Sequence, residues 1–151
     1  MGFFRKARPR PFRDIVFIAC PPSTMTIPPV GVGSIAEHLR QVGYEAPIID
    51  LNIRMYNEAT ELEREAWNLD RKNLWLQENT LARLLKRFDR QIEEAIDEAL
   101  EHERYVIGLT VMHSREEFTT TLINRIKERD PGRLIFVGGP SLAQEKMRRS
   151  Y

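Results

Sequence analysis

The chain has 151 residues, of which 42% are hydrophobic and 30% are charged, and its formal net charge is +1. This composition is typical of one globular domain, and the balanced charge gives no reason to expect a nucleic-acid partner. The single cysteine, Cys20, excludes an internal disulfide, a cysteine-only zinc site and an iron–sulfur cluster held by this chain's own thiolates. No apolar stretch approaches the ~20 residues that span a bilayer, so we expect no membrane partner.

Residues 1–13 form a basic leader with five arginine or lysine residues and two prolines. The leader lacks the apolar core of a signal peptide, which predicts a cytoplasmic protein. So short a basic run is more typical of a solvated segment than of an arm that binds a polyanion.

Short apolar runs that end in turn residues alternate with helical patterns along the rest of the chain. The runs predict strands at 14–20, 46–51, 105–111 and 134–137, and the last is expected to be buried on both faces. The helical patterns predict helices over 31–42, from Ser114, where Glu117 completes a capping box, and from Ser141. This alternation predicts an α/β fold, a doubly wound parallel sheet of the Rossmann or flavodoxin-like type.

The predicted α/β domain spans 14–151 and is expected to be truncated after four strands, incomplete at its carboxyl end. A long helical insertion at 57–102 separates strands two and three. Within it, apolar spacings of three and four predict one amphipathic helix of about six turns over 81–99. Trp67 and Trp75 precede this helix, and we expect their segment to pack as an extension of the domain rather than to act as a lid.

The loops after the strands offer hydroxyls, glycines, prolines and apolar side chains, with one histidine. In parallel sheets such loops meet at one edge, where ligands bind. They hold no paired carboxylates, no acid beside a base and no nucleophile elbow, so they predict a binding cleft without catalytic or metal-ligating residues. The predicted cofactor-binding residues are Pro21, Pro22, Ser23, Thr24, Pro29, Gly31, Asn52, Thr110, Met112, His113, Ser114, Gly138, Gly139 and Pro140.

One alternative ligand is a nicotinamide or flavin nucleotide. Residues 31–36 fit the dinucleotide pattern Gly-x-Gly-x-x-Ala, and Asp50 lies near the distance expected for a ribose contact. That pattern places its first glycine in the turn directly after the strand, whereas here ten residues intervene, four of them proline. The sequence therefore favours this alternative less than the one that follows.

Several short motifs follow one another in a set order along residues 14–147. They are Pro-Pro at 21–22, PPVGVG at 28–33, LRQVGYE at 39–45, DLN at 50–52, IGLT at 107–110, INRIKERDP at 123–131 and GGP at 138–140. Together they resemble the N-terminal cobalamin-binding domains of cobalamin-dependent radical SAM enzymes. The resemblance implies that a corrinoid cofactor, cobalamin, lies across the strand carboxyl ends and contacts the loops at 21–24, 52, 110–114 and 138–140.

Two departures shape what the resemblance implies. The first-strand loop lacks the Asp-x-His-x-x-Gly motif of the methionine-synthase and mutase type of cobalamin domain. We therefore expect that this loop supplies no histidine ligand to the cobalt of cobalamin. His113 lies in another strand-end loop. The Cys-x-x-x-Cys-x-x-Cys loop of the radical SAM domain is also absent. The iron–sulfur cluster and S-adenosylmethionine are therefore expected only in a missing domain of the full-length protein.

The chain alone is therefore expected to bind and not to catalyse. In the full-length protein, methyltransferase-like in this interpretation, cobalamin would act as a methyl carrier or an electron-transfer partner. The second alternative is a non-enzymatic interaction module that uses the 67–75 segment and the basic leader.

Overall fold

The computed structural model describes residues 14–26, 28–101 and 105–139, without the side chain of His113. Within them, four strands form one parallel sheet in the order β2-β1-β3-β4. This architecture confirms the predicted α/β fold with a helical insertion, and it is compatible with a Rossmann or flavodoxin-like sheet. The basic leader 1–13, Pro140 and the helix predicted from Ser141 lie outside the described residues.

The strands and helices follow the predicted order, with small shifts at their ends. The strands are β1 Asp14–Ala19, β2 Ile48–Asp50, β3 Tyr105–Thr110 and β4 Ile135–Gly138. The α-helices are α1 Val30–Gln41, α2 Leu51–Glu58, α3 Glu61–Arg64, α4 Glu78–Arg87, α5 Asp89–Leu100 and α6 Glu116–Arg129. In addition, 3-10 helices cover Glu65–Trp67, Leu69–Leu76 and His113–Arg115.

The main core lies on one face of the sheet. Alternate residues of β1 and β3 point to this face, as the two-residue period of a strand requires, and pack against the insertion and α6. The largest fully buried side chains there include Ile18, Ile107, Ile92, Ile96 and Phe118. This continuous apolar contact fixes the strand register and therefore the positions of the loops that follow the strands.

The opposite face carries α1, which buries Val32 and Ala36. Beside α1, β4 is not buried on both faces, because Phe136 remains 58% exposed. The prediction for this strand was therefore wrong within the described residues. The physical reason is its position at the edge of the sheet, where no described helix covers Phe136.

The insertion begins at Leu51, directly after β2, rather than at residue 57. The rings of Trp67 and Trp75 pack edge to face with their centroids 5.0 Å apart. The Trp75 ring also packs against that of Phe118 in α6, with a centroid distance of 5.8 Å. Because Trp75 is fully buried, the segment is a packed part of the core, as predicted.

Two local predictions were wrong. The single helix over 81–99 is two helices, α4 and α5, because Phe88 between them leaves helical geometry and is completely buried. Ser114 does not cap α6, since it lies in a 3-10 turn and the helix starts at Glu116 without a side-chain cap. The capping box is instead formed by Thr60 and Glu63.

Candidate functional site

A cleft of about 360 Å³ opens at the carboxyl ends of β1, β2 and β3, beside the first turn of α1. Its walls are mostly apolar, with prolines, Met25 and Ile53 among them. We call this space the first cleft. Seven of the predicted cofactor-binding residues line it: Ser23, Thr24, Pro29, Gly31, Asn52, Thr110 and Met112.

A second cleft of about 330 Å³ adjoins the first, between α1 and the sheet face that includes Phe136. The two clefts share Gly31, Val32 and Thr110 as wall residues. Gly138 and Gly139 line the second cleft, which is almost entirely apolar. The two clefts therefore form a continuous recess along the strand carboxyl ends and down one side of α1.

Three of the remaining predicted site residues are described, and none of the three lines either cleft. These are Pro21 and Pro22, which are buried in the loop after β1, and Ser114, which is also buried. The side chain of His113 and all of Pro140 lie outside what the structure describes. Nine of the fourteen predicted residues therefore line the recess, whereas Pro21, Pro22 and Ser114 are buried outside its walls.

Asn52 positions the first-strand loop. Its Oδ1 accepts hydrogen bonds from the backbone N–H of Ser23 at 2.9 Å and from the indole N–H of Trp67 at 2.8 Å. Its Nδ2 donates to the Met25 sulfur at 3.2 Å. Because both ends of the amide contact protein atoms, Asn52 shapes the cleft wall rather than offering free groups to a ligand.

Arg115 is a wall residue of the first cleft that the sequence prediction missed. Its Nε donates to the carbonyl oxygen of Pro22 at 2.8 Å, which ties the loop after β3 to the loop after β1. Burial lowers the pKa of the guanidinium, while Cys20 and Asp50 act in the opposite direction. The only sequence signal was its place in the strand-three loop, two residues after His113.

Cys20 follows β1 and is completely buried beneath the cleft. Burial raises the pKa of its thiol to about 12, against smaller opposing effects of Thr119 and Arg115. A neutral buried thiol is a poor nucleophile and a poor metal ligand. Cys20 therefore belongs to the support of the cleft.

Neither a metal-binding group nor a spanning helix occurs in the described ranges. No three histidine, cysteine, aspartate or glutamate side chains there come close enough together to hold a metal ion. No helix in the same ranges combines the length and apolar character needed to cross a membrane.

The site must be interpreted from its own residues. Comparison of the chain with protein-family models found no match, and comparisons with curated proteins and with solved structures found none either.

Proposed function

We propose that this chain binds a corrinoid, cobalamin, in the two joined clefts, as the cofactor-binding part of a longer cobalamin-dependent radical SAM protein. One observation carries the proposal. Loops that are distant in sequence, and that the family resemblance assigns to the cofactor, line one recess at the carboxyl edge of a parallel sheet.

The chemistry of the recess fits such a ligand. A corrin is broad and largely apolar at its edge, and the walls are mostly apolar with Ser23 and Thr110 as hydroxyl donors. A Cβ added to Gly31 or Gly138 would meet no atom within 4 Å, so both glycines leave open space in the walls. Glycine at such positions lets a large planar ligand approach the backbone.

Cobalamin, when bound, would supply a cobalt centre that carries a methyl group or electrons. The residues of this chain would bind and orient it, and the first-strand loop contains no histidine to ligate cobalt. An iron–sulfur cluster and S-adenosylmethionine would belong to a separate radical SAM domain, the chain's partner in the full-length protein. Radical chemistry of this kind fits a cytoplasmic location, which is part of the proposal.

The test is retention of the cofactor. Protein without a histidine tag is incubated with hydroxocobalamin, desalted and examined by visible absorption, since a tag would itself ligate cobalt. We expect the corrinoid absorbance to stay with the folded protein. A colourless protein fraction whose circular dichroism shows an intact α/β fold would contradict the proposal.

Gly31→Leu and Gly33→Leu form a matched pair for this test. Both positions lie in the first turn of α1 and have open space where a Cβ would project, but only Gly31 lines the clefts. Leucine raises helix propensity equally at both positions. We expect Gly31→Leu to reduce corrinoid affinity roughly tenfold or more by filling the wall, while Gly33→Leu binds as the unmodified chain does.

A nicotinamide or flavin nucleotide is the second candidate, because Gly31 and Val32 of the Gly-x-Gly-x-x-Ala stretch line the first cleft. Thermal shift measurements separate the two candidates, since a ligand that binds only the folded state raises the melting temperature. Stabilisation by NAD⁺ or FAD, with none by hydroxocobalamin, would favour the nucleotide.

The alternative of a non-enzymatic interaction module relied on the two tryptophans of the 67–75 segment as a binding surface. Trp67 is 6% exposed and Trp75 is fully buried, so neither ring is available to a partner. Near these rings in the sequence, Leu62 and Leu69 are exposed apolar residues.

A further inference from the structure

The guanidinium of Arg115 is buried without a salt bridge in the part of the chain that the structure describes, although the charge of Asp50 acts on it. The residue is 8% exposed, and its side-chain hydrogen bond uses only Nε, which donates to Pro22. Among the described residues, no carboxylate lies within salt-bridge distance and no acceptor bonds to either Nη group. Deeply buried arginines are usually paired, because an unpaired buried charge is costly. Arg115 therefore has donors in the wall of the first cleft that no described residue accepts.

The start of α1 offers the same cleft a second set of donors that no described residue uses. Pro29 precedes the helix and makes no side-chain cap. The N–H of Gly33 bonds to Pro29 and that of Val30 bonds to Pro28, whereas the N–H groups of Gly31 and Val32 have no acceptor among the described residues. Free N–H groups in the first turn carry the positive end of the helix dipole and favour anions.

We propose that Arg115 and the first turn of α1 together bind a phosphate-type oxyanion of the ligand. This anion site rests on the proposed function and deepens it, because it names the group that anchors the ligand in the first cleft. A guanidinium presents paired donors that match phosphate oxygens, and backbone N–H groups from the helix supply further ones.

Asp50 is the other charged residue that lines the first cleft among the described residues. Its Oδ1 accepts from the backbone N–H of Ile53 and so caps α2. The Asp50 charge opposes an anion in the same cleft, and asparagine caps a helix about as well as aspartate does. Asp50→Asn therefore removes repulsion while keeping the local structure.

The first experiment uses inorganic pyrophosphate as the probe. Amide chemical shifts of ¹⁵N-labelled protein are followed during titration at low salt. In the unmodified chain we expect saturable shifts of the Gly31 and Val32 amide signals. Arg115→Gln should bind pyrophosphate about tenfold more weakly or worse. Asp50→Asn should bind it about two- to fivefold more tightly. Arg83→Gln removes an exposed arginine on α4 and controls for net charge, so its affinity should equal that of the unmodified chain.

Asp50→Asn keeps the proposal testable if Arg115→Gln disturbs the loop that Arg115 holds. A structural defect does not tighten anion binding, so a gain in Asp50→Asn supports the site independently. The proposal is overturned if pyrophosphate gives no saturable shifts at Gly31 and Val32. It is equally overturned if folded Arg115→Gln binds pyrophosphate as tightly as the unmodified chain, or if Asp50→Asn gives no gain.

The source of the phosphate is then identified with larger ligands. Cobalamin carries a phosphodiester in its nucleotide tail, and cobinamide lacks that tail. If Arg115→Gln weakens the binding of hydroxocobalamin but not that of dicyanocobinamide, the phosphate belongs to the corrinoid. If the substitution weakens the binding of NAD⁺ and the chain binds no corrinoid, the phosphate belongs to a nucleotide. Pyrophosphate binding without corrinoid retention would refute the proposed function alone, and corrinoid retention without a pyrophosphate response would refute the anion site alone.

Discussion

The amide oxygen of Asn52 accepts a hydrogen bond from the indole N–H of Trp67 at 2.8 Å, and this bond joins the helical insertion to the candidate site. The same oxygen accepts from the backbone N–H of Ser23 in the first-strand loop. Asn52 is 3% exposed; its bond from Trp67 is buried, and its bond from Ser23 is partly buried. The insertion therefore helps to hold the cleft wall in place, although neither Trp67 nor Trp75 lines the cleft.

Asn52→Leu should destabilise the fold and loosen the first cleft. Leucine has the same number of side-chain heavy atoms but leaves the Trp67 and Ser23 donors without an acceptor, and each unsatisfied buried donor costs about 1–3 kcal/mol. We expect a loss of about 2–4 kcal/mol in the free energy of unfolding, measured by urea denaturation. Asn57→Leu on the exposed side of α2 is the matched control, and its stability should change little. Equal effects of the two substitutions would contradict the role of Asn52.

Gly139 should not tolerate a side chain, whereas its neighbour Gly138 should. Gly139 has a φ of +130°, and an added Cβ would collide with the carbonyl oxygen of Val111. At Gly138 an added Cβ would project into open space. We expect Gly139→Ala to lose about 2–4 kcal/mol of stability and Gly138→Ala to lose less than about 1 kcal/mol.

Thermal unfolding of the two alanine variants checks this contrast. If Gly138→Ala unfolds at the temperature of the unmodified chain but retains less hydroxocobalamin, the methyl group obstructs the ligand in the second cleft. If the two variants are equally stable, the backbone at Gly139 does not have the conformation described.

Trp75→Phe should lower the free energy of unfolding by more than the small change in buried apolar area implies. The indole N–H donates to the carbonyl oxygen of Ala66 at 2.8 Å in a fully buried site, and phenylalanine leaves that carbonyl without its donor. We expect a loss of about 1–3 kcal/mol in chemical denaturation. Tyr44→Phe changes a half-exposed aromatic ring and serves as the control. A change of a few tenths of a kcal/mol in both variants would contradict the importance of the Trp75 hydrogen bond.

Local patterns predicted the strands because each is a short apolar run closed by turn residues. β1 and β3 were placed within one residue of their observed ends. The same patterns failed where the tertiary structure overrides them. Phe88 fits the apolar spacing of one uninterrupted helix. In the structure it packs against Trp67 and lies at the junction where α4 ends and α5 begins.

The candidate site was predictable as a set of loops but not as a set of contacts. Parallel strands end at one edge, so Ser23, Asn52 and Thr110 were expected to come together. The bond from Arg115 to Pro22 joins residues 93 positions apart, and no local pattern encodes such a pairing. That is why Arg115, which carries the positive charge of the cleft wall, emerged only from the folded structure.

The buried thiol of Cys20 should make the protein less stable in alkali. Burial raises the pKa of this thiol from 9.0 to about 12 in the folded state. Between these values the unfolded chain releases the proton while the folded chain retains it, so the unfolded state gains free energy. The stabilising contribution is therefore complete below about pH 9 and is lost as the pH rises toward 12.

Comparison with Cys20→Ala isolates this effect. The hydrogen bond to Glu45 raises the pKa of Tyr105 to about 12 as well, but that contribution is common to both proteins. We expect the stability advantage of the unmodified chain over Cys20→Ala to shrink by roughly 2 kcal/mol between about pH 7.5 and pH 10.5, as measured by urea unfolding at each pH. An advantage that stays constant would mean that the thiol ionises as readily in the folded chain as in the unfolded one, and Cys20 would then not be sealed beneath the cleft.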